Sequence, residues 1–433
     1  MRLLSYSLVA AVLAFAASVR FMEGSHPPPH HARRTAEEDA AIRDQDIAFY
    51  AVRAARDPSG AIDLAQLSSL YLERARATGD NEDLVRAETA ARRSLGNRTT
   101  RNRKAQAVLT ASLVAQHRFA EARVIAVAMV AADSTRVAQR ATLAEIDLEL
   151  GHYETARAEL GSLVLYRTDL AVAPRLARWA ELRGRPQEAR RLLREARDEA
   201  RQRVDLPAEQ LAWYQLRLGD LALRYGQLDE ARRELETGLK VAPADYRLLS
   251  ALARLEAARH RWQEAIAYGE RSIAQTLDPA TLGLLDDAYS ALGDTAKAGE
   301  YDRAMRLTVL RQPGPFHRAW SLFLLDHGRD VPTVLAKVEE ELASRKDIYG
   351  YDLLGWALHR SGRDREAEPA MREALALGTK DAMLLYHAGM IERALGDDAA
   401  ARRHLEAALE TNPYWDPFHP AEARAVLDSL ARR

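Results

Sequence analysis

The chain has 433 residues with 62 basic and 63 acidic side chains, so no bulk positive field is available to hold a nucleic acid. Cysteine is absent, which excludes disulfides and every Cys-containing metal or redox site. Length alone suggests about three domains, but an internal repeat overrides that expectation.

Met1-Arg2 is a short positive start, and Leu3 to Val19 carries no charge. With Ala14-Phe15-Ala16 as a small-x-small cleavage pattern, residues 1–20 read as a secretory signal peptide. The same run is long enough for a thin N-terminal membrane anchor, and an ordinary buried helix is a third reading. The first two imply export to a periplasmic or extracellular location, or tethering to the membrane by residues 3–19. Residues 21–34 form a linker stiffened by Pro27, Pro28 and Pro29. His26, His30 and His31 lack a fourth ligand, so the linker reads as a spacer and no metal is expected. Residues 35–59 read as an N-terminal capping helix, with Ile42, Phe49, Val52 and Ala55 inward and Asp57-Pro58 as its stop.

From residue 60 to 414 a helix-to-helix turn of the form Gly-x-x-x-x-Ala recurs. Its turn residues are Gly79, His117, Gly151, Gly184, Gly226, His260, Gly293, Gly328, Gly362 and Gly396. In eight of the ten, alanine stands five residues on, while Leu84 and Thr333 take that slot in the other two. A fixed period of this length marks a solenoid, whose units bury their apolar faces only against neighbours. The interval from Gly184 to Gly226 is 42 residues against the usual 34. The surplus of 8 is about two helical turns, assigned to the Gly- and Pro-free stretch Gln187 to Val204. Pro332 and Thr333 predict a distorted unit around Gly328, or a second helix that begins late. Residues 415–433 read as a C-terminal capping helix, with Ala423, Val426, Leu427 and Leu430 inward.

Motifs that carry chemistry are missing. There is no phosphate-cradling Gly-rich loop, no Gly-x-Ser-x-Gly elbow and no His-Glu-x-x-His pair. Asn97-Arg98-Thr99 is a formal glycosylation sequon with a high chance rate. The repeat leaves no room for a catalytic domain, so neither an enzyme nor a cofactor is expected.

The unit from Ala212 to Asp245, through Leu218, Gly219, Gly226, Ala231 and Pro243, resembles the tetratricopeptide repeat. That family's unit is a helix-turn-helix of about 34 residues. Asp381 to Tyr414 matches as well, through Gly389, Gly396, Ala401, Leu405, Ala408 and Pro413. The resemblance implies an all-α, right-handed α-solenoid (a superhelix) of about ten such units with terminal capping helices. With the N-terminal signal and the Ala- and Arg-rich composition, it is similar to exported or membrane-anchored bacterial members.

The family places the first helix of each unit on the concave face. The resemblance therefore implies inner slots thirteen, ten, six, three and two positions before each turn residue. In the last units these hold Tyr349, Asp352, Trp356, His359 and Arg360, then Met383, Tyr386, Met390 and Arg393. Aromatic, Met and Arg side chains are those enriched where partners bind. A peptide or partner helix is thus expected on the C-terminal groove, anchored by Trp356 and Tyr386. Asp352, Arg360 and Arg393 would set its polarity. A one-residue change of register would instead turn the aromatics into core. Trp213, Asp220, Arg224, Arg247 and Arg254 occupy the same slots mid-array, and Ala107, Ala111, Ala138 and Ala141 occupy them near the N-terminus. None of Asn81, Asn97, Asn102 and Asn412 falls where the family's chaperone-tail clamp requires it. The expected function is a non-catalytic scaffold or adaptor for a protein or peptide partner, in an envelope-associated assembly. The alternatives are a regulatory sensor whose groove ligand changes the solenoid's shape, and an accessory subunit that presents substrate to an enzyme.

Overall fold

Thr35 opens the first helix with a capping box: its hydroxyl accepts the Glu38 N–H, and the Glu38 carboxylate accepts the Thr35 N–H. That helix, α1 (Ala36–Arg56), precedes a run of helical hairpins in the computed structural model, which describes residues 33–311, 318–343 and 345–432. The signal-or-anchor segment, residues 1–20, lies outside the described residues, as does the linker up to residue 32. Thr35–Arg433 forms one compact unit.

The hairpins pair α2 (Ala61–Thr78) with α3 (Asn81–Asn97), α4 (Arg103–Ala115) with α5 (Phe119–Ala132), and α6 (Val137–Glu149) with α7 (Tyr153–Leu163). Next come α8 (Ala173–Leu182) with α9 (Pro186–Gln202), α10 (Ala208–Arg224) with α11 (Leu228–Val241), and α12 (Tyr246–Ala258) with α13 (Trp262–Ile273). The array continues with α14 (Pro279–Ala291) and α15 (Thr295–Arg311), α16 (Arg318–Asp326) and α17 (Val331–Leu342), and α18 (Ile348–Arg360) and α19 (Asp364–Ala374). The last pair is α20 (Ala382–Leu395) and α21 (Asp398–Thr411), followed by a single α22 (His419–Ala431). The described residues contain no strand. The architecture is an α-solenoid of ten helix-turn-helix units.

All ten turn residues adopt the left-handed conformation, with φ between 55° at His260 and 84° at Gly396. This reverses the chain in a few residues, so the second helix lies against the first. The alanine five residues on is buried in every unit that has it. Close packing also needs glycine within the helices: a Cβ on Gly219 would sit 2.6 Å from the Leu235 side chain. The apolar core follows the chain as a string of clusters shared by consecutive hairpins, one of which also takes in Ile348 and Leu384 from far along the chain.

Three local expectations need adjusting. The surplus residues before Gly226 are shared between α9 and α10, each of 17 residues, against 13 in α12 and 14 in α11. The unit at Gly328 starts its second helix one residue later than its neighbours, after an extra left-handed residue at Asp330 with φ 47°. That shift exposes Thr333 and puts Val334 in the buried slot that alanine fills elsewhere. In α1 the inward face is not Ile42, Phe49, Val52 and Ala55, all of which are exposed. Asp39 accepts the Ala208 N–H at 2.9 Å and Arg43 pairs with Glu209 at 3.3 Å. These anchors fix the helix rotation, so Ile47, Tyr50 and Ala54, further along the same stripe, meet α2. No described helix is long and apolar enough to cross a membrane.

The array in this unit also coils back onto itself. The loop before α18 bonds to the end of α6: Lys346 N donates to the Leu150 carbonyl at 3.3 Å, and Arg345 reaches the Glu149 carboxylate at 2.9 Å. Thr379, before α20, donates to the Leu182 carbonyl, and Asn412 donates to the carbonyls of Leu223 and Arg224, both at 3.1 Å. These partners are 188 to 197 residues apart in sequence. Successive turns of the coil are therefore in hydrogen-bonded contact, and they enclose an interior.

Candidate binding groove

The first helices of neighbouring units pack on one another as an inner layer, with the second helices outside. Three cavities open along that inner layer. The largest, about 620 Å³, is walled by α2, α4, α5, α6, α8, α10 and α12. A second, about 410 Å³, lies among α10, α12, α14, α16, α18, α20 and the segment before α22. A smaller one of about 260 Å³ joins α6 and α8 to α17 and α18 across the coil contact. Mid-array slot residues line these spaces: Trp213 and Arg247 the first, Asp220, Arg224 and Arg254 the second.

Charge on this inner surface is matched pair by pair. Asp220 receives Arg254 from the next unit at 2.7 Å, Glu145 receives Arg175 at 2.7 Å, and Asp287 holds His327 at 2.9 Å. Glu181 is the most enclosed of these carboxylates. Burial acts to raise its pKa, but Arg224, Arg178 and Arg217 around it outweigh that and hold it down to about 2. Glu149 shows the opposite balance: burial pushes its carboxyl up despite Arg178 and Arg345. Tyr349 lies between two guanidinium groups, Arg178 at 5.2 Å and Arg318 at 5.0 Å from its ring centre.

Among the expected groove residues, only Tyr349 and Met383 line an interior cavity. Trp356 is only 2 % exposed and Tyr386 1 %, so neither anchors an outside partner. Both are core. Trp356 donates its indole N–H to Asp326 at 2.8 Å and stacks on His387 at 4.1 Å. Tyr386 donates its hydroxyl to Glu422 at 2.6 Å and stacks on His419 at 4.7 Å. Asp352, fully buried, takes Arg318 at 2.6 Å and His387 at 2.7 Å. His359 is held by Asp364, Arg360 lies over the Trp356 ring, Met390 packs on the core and Arg393 pairs with Asp398. The physical reason differs between the two: Asp326 and His387 of the neighbouring first helices close over Trp356, and the chain's own C-terminal segment covers Tyr386. Trp415, His419 and Glu422 lie against Tyr386, and Phe418 stacks on Trp262 at 5.9 Å. That segment covers the slot of Tyr386.

Sequence reasoning passed over the opposite end of the array. Arg76 and Glu73 stand three and six positions before Gly79, in inner slots, and both line the 620 Å³ cavity with Arg175 and Glu209. Applying the slot rule to the first unit would have found the first two. Arg175 and Glu209 lie outside the slots, near the starts of α8 and α10.

No protein-family model and no curated protein matches the chain. Among solved structures it is similar to the Cut9-Hcn1 hetero-tetramer of APC/C, at 13 % identity and a TM-score of 0.34, over 90 % of this chain and 94 % of that one. It is also similar to the P58(IPK) TPR domain, at 16 % identity and a TM-score of 0.22, over 76 % of this chain and 99 % of that one.

Proposed function

We propose that the chain is a protein-binding scaffold that takes its partner into the interior of the coil and has no catalysis of its own. One observation carries this: cavities of about 620 and 410 Å³ lie on the same inner layer, walled by rigid helices that hydrogen bonds between turns hold in place. A surface organised before binding loses little conformational entropy when a partner arrives. Cavities of this size are those that hold ligand side chains and short segments. The uncharged run from Leu3 to Val19 supports a site of action at the cell envelope.

Photo-crosslinking in native envelope extract tests the proposal. A photoreactive residue is placed at Trp213 or Met383 on the inner layer, and at Val124 or Arg372 on the outside. The expected result is one protein joined from the inner positions and not from the outer ones. Crosslinks from the outer positions alone, or none from the inner ones, would reject the interior as the binding surface.

A further inference from the structure

The 620 Å³ cavity contains a cation without a counter-ion. Arg76 makes no hydrogen bond or ion pair among the described residues, although charged groups surround it. Each neighbouring cation is committed elsewhere: Arg175 to Glu145 at 2.7 Å, Arg43 to Glu209 at 3.3 Å, and Arg247 to Asp245 at 2.6 Å. Glu73, one turn earlier on α2, accepts the Ser69 hydroxyl at 2.9 Å and pairs with no cation. The Arg76 side chain is exposed within the cavity, so an arriving carboxylate can reach it. The rest of the wall is smooth. Ala107, Ala111 and Ala115 succeed one another at four-residue spacing on α4, with Ala138 beside them on α6. Side chains this small let a partner's backbone approach closely.

We propose that this cavity recognises one acidic side chain in a peptide segment whose flanking residues are small and apolar, Arg76 binding the carboxylate. The inference rests on the scaffold reading: a partner that continues along the interior presents a side-chain carboxylate here and not a chain end. Glu73 sets a second condition. It repels a second negative charge and favours a Lys or Arg next to the acidic residue, so the motif is a single acid with a basic neighbour and not an acidic run. Neither residue of the pair is engaged by an ion pair within the chain, so the free energy of pairing is available to the partner.

The experiment uses the full chain and an array of random dodecapeptides tethered through their C-termini, which removes every free chain-end carboxylate. The parent is expected to retain peptides with one Asp or Glu beside a Lys or Arg, flanked by Ala, Val or Ser. Arg76→Gln should weaken those peptides at least tenfold without changing Tm, because Arg76 makes no bond that folding needs. Glu73→Gln should remove only the preference for the basic neighbour. Ala111→Leu, which fills the wall, should block the same peptides while the chain's circular dichroism stays that of the parent. Retention of peptides with no acidic preference, or equal binding by Arg76→Gln, would overturn the carboxylate site and leave the scaffold intact. If no peptide is retained and the inner positions also fail to crosslink, both proposals fall.

Discussion

A left-handed backbone costs an L-residue about 1–2 kcal/mol, and two of the ten turns carry it on histidine, His117 at φ 58° and His260 at φ 55°. Each ring leans on the aromatic two residues on, Phe119 at 5.5 Å and Trp262 at 5.6 Å, which offsets part of that cost. His260→Gly should therefore raise stability by about 0.5–1 kcal/mol in urea unfolding. The glycine turns divide by what lies behind them. At Gly293 a Cβ meets nothing within 4 Å, whereas at Gly226 it falls 2.8 Å from the Asn412 carboxamide oxygen. Gly293→Ala should cost about 1 kcal/mol from backbone strain alone, and Gly226→Ala distinctly more. Equal losses at the two positions would mean that the coil contact is not formed in solution. Glu181 supplies a pH test. Its carboxyl is depressed from the ordinary 4.5 to about 2, so its pairing contributes stability fully present above pH 4.5 and lost as the pH falls toward 2. Glu181→Gln should lower stability by roughly 2 kcal/mol at pH 7, since it leaves three part-buried arginines with less compensation. Near pH 2 variant and parent should unfold alike. A deficit that persists there would show that the loss comes from packing and not from charge.

At the scale of helices, register decides what a residue does. In the unit at Gly328 one extra left-handed residue, Asp330, delays α17 and moves the buried slot from Thr333 to Val334. Thr333→Val should thus change stability by no more than about 0.5 kcal/mol, while Val334→Ala should cost about 2 kcal/mol. Comparable losses at both sites would place the helix start where the other units have it. The same consideration explains what the sequence could reveal. Turn positions were legible because a left-handed backbone selects glycine, and the buried alanines because two helices approach closely there. The slots six before the turn were legible too, and in the middle units, at Asp220 and Arg254, they do line the interior. The rule failed at Trp356 because Asp326 and His387 on the adjacent first helices close over it, and at Tyr386 because local spacing carries no record of a segment that returns to cover a face. Trp415, His419 and Glu422 follow the last repeat in sequence and look like part of a simple cap. Only their contacts with Tyr386, and those of Asn412 with the end of α10, reveal that the cap reaches into the coil.

An open solenoid has only neighbour-to-neighbour interfaces, so its stability is a sum of local terms and distant units melt independently. This chain departs from that rule at three junctions, each joining the end of an early first helix to a loop near 190 residues later. At the last one Asn412, 1 % exposed, donates to the Leu223 and Arg224 carbonyls, which are among those at the end of α10 that have no partner inside the helix. Removing that carboxamide takes a donor from the Arg224 carbonyl and leaves the Leu223 carbonyl with the Gly226 N–H, a cost of about 1–3 kcal/mol. Its consequence is spatial as well as energetic. Asn412→Ala should speed amide hydrogen exchange in the turn from Arg224 to Leu228 and along the end of α10, far away in sequence. The turn at Gly293, where a Cβ would meet nothing within 4 Å, should keep its protection. If exchange instead rises only around residue 412, the turns of the coil are energetically separate. The interior is then a groove open to solvent along its length, and a partner would have to supply the order that the coil contacts give in the structure.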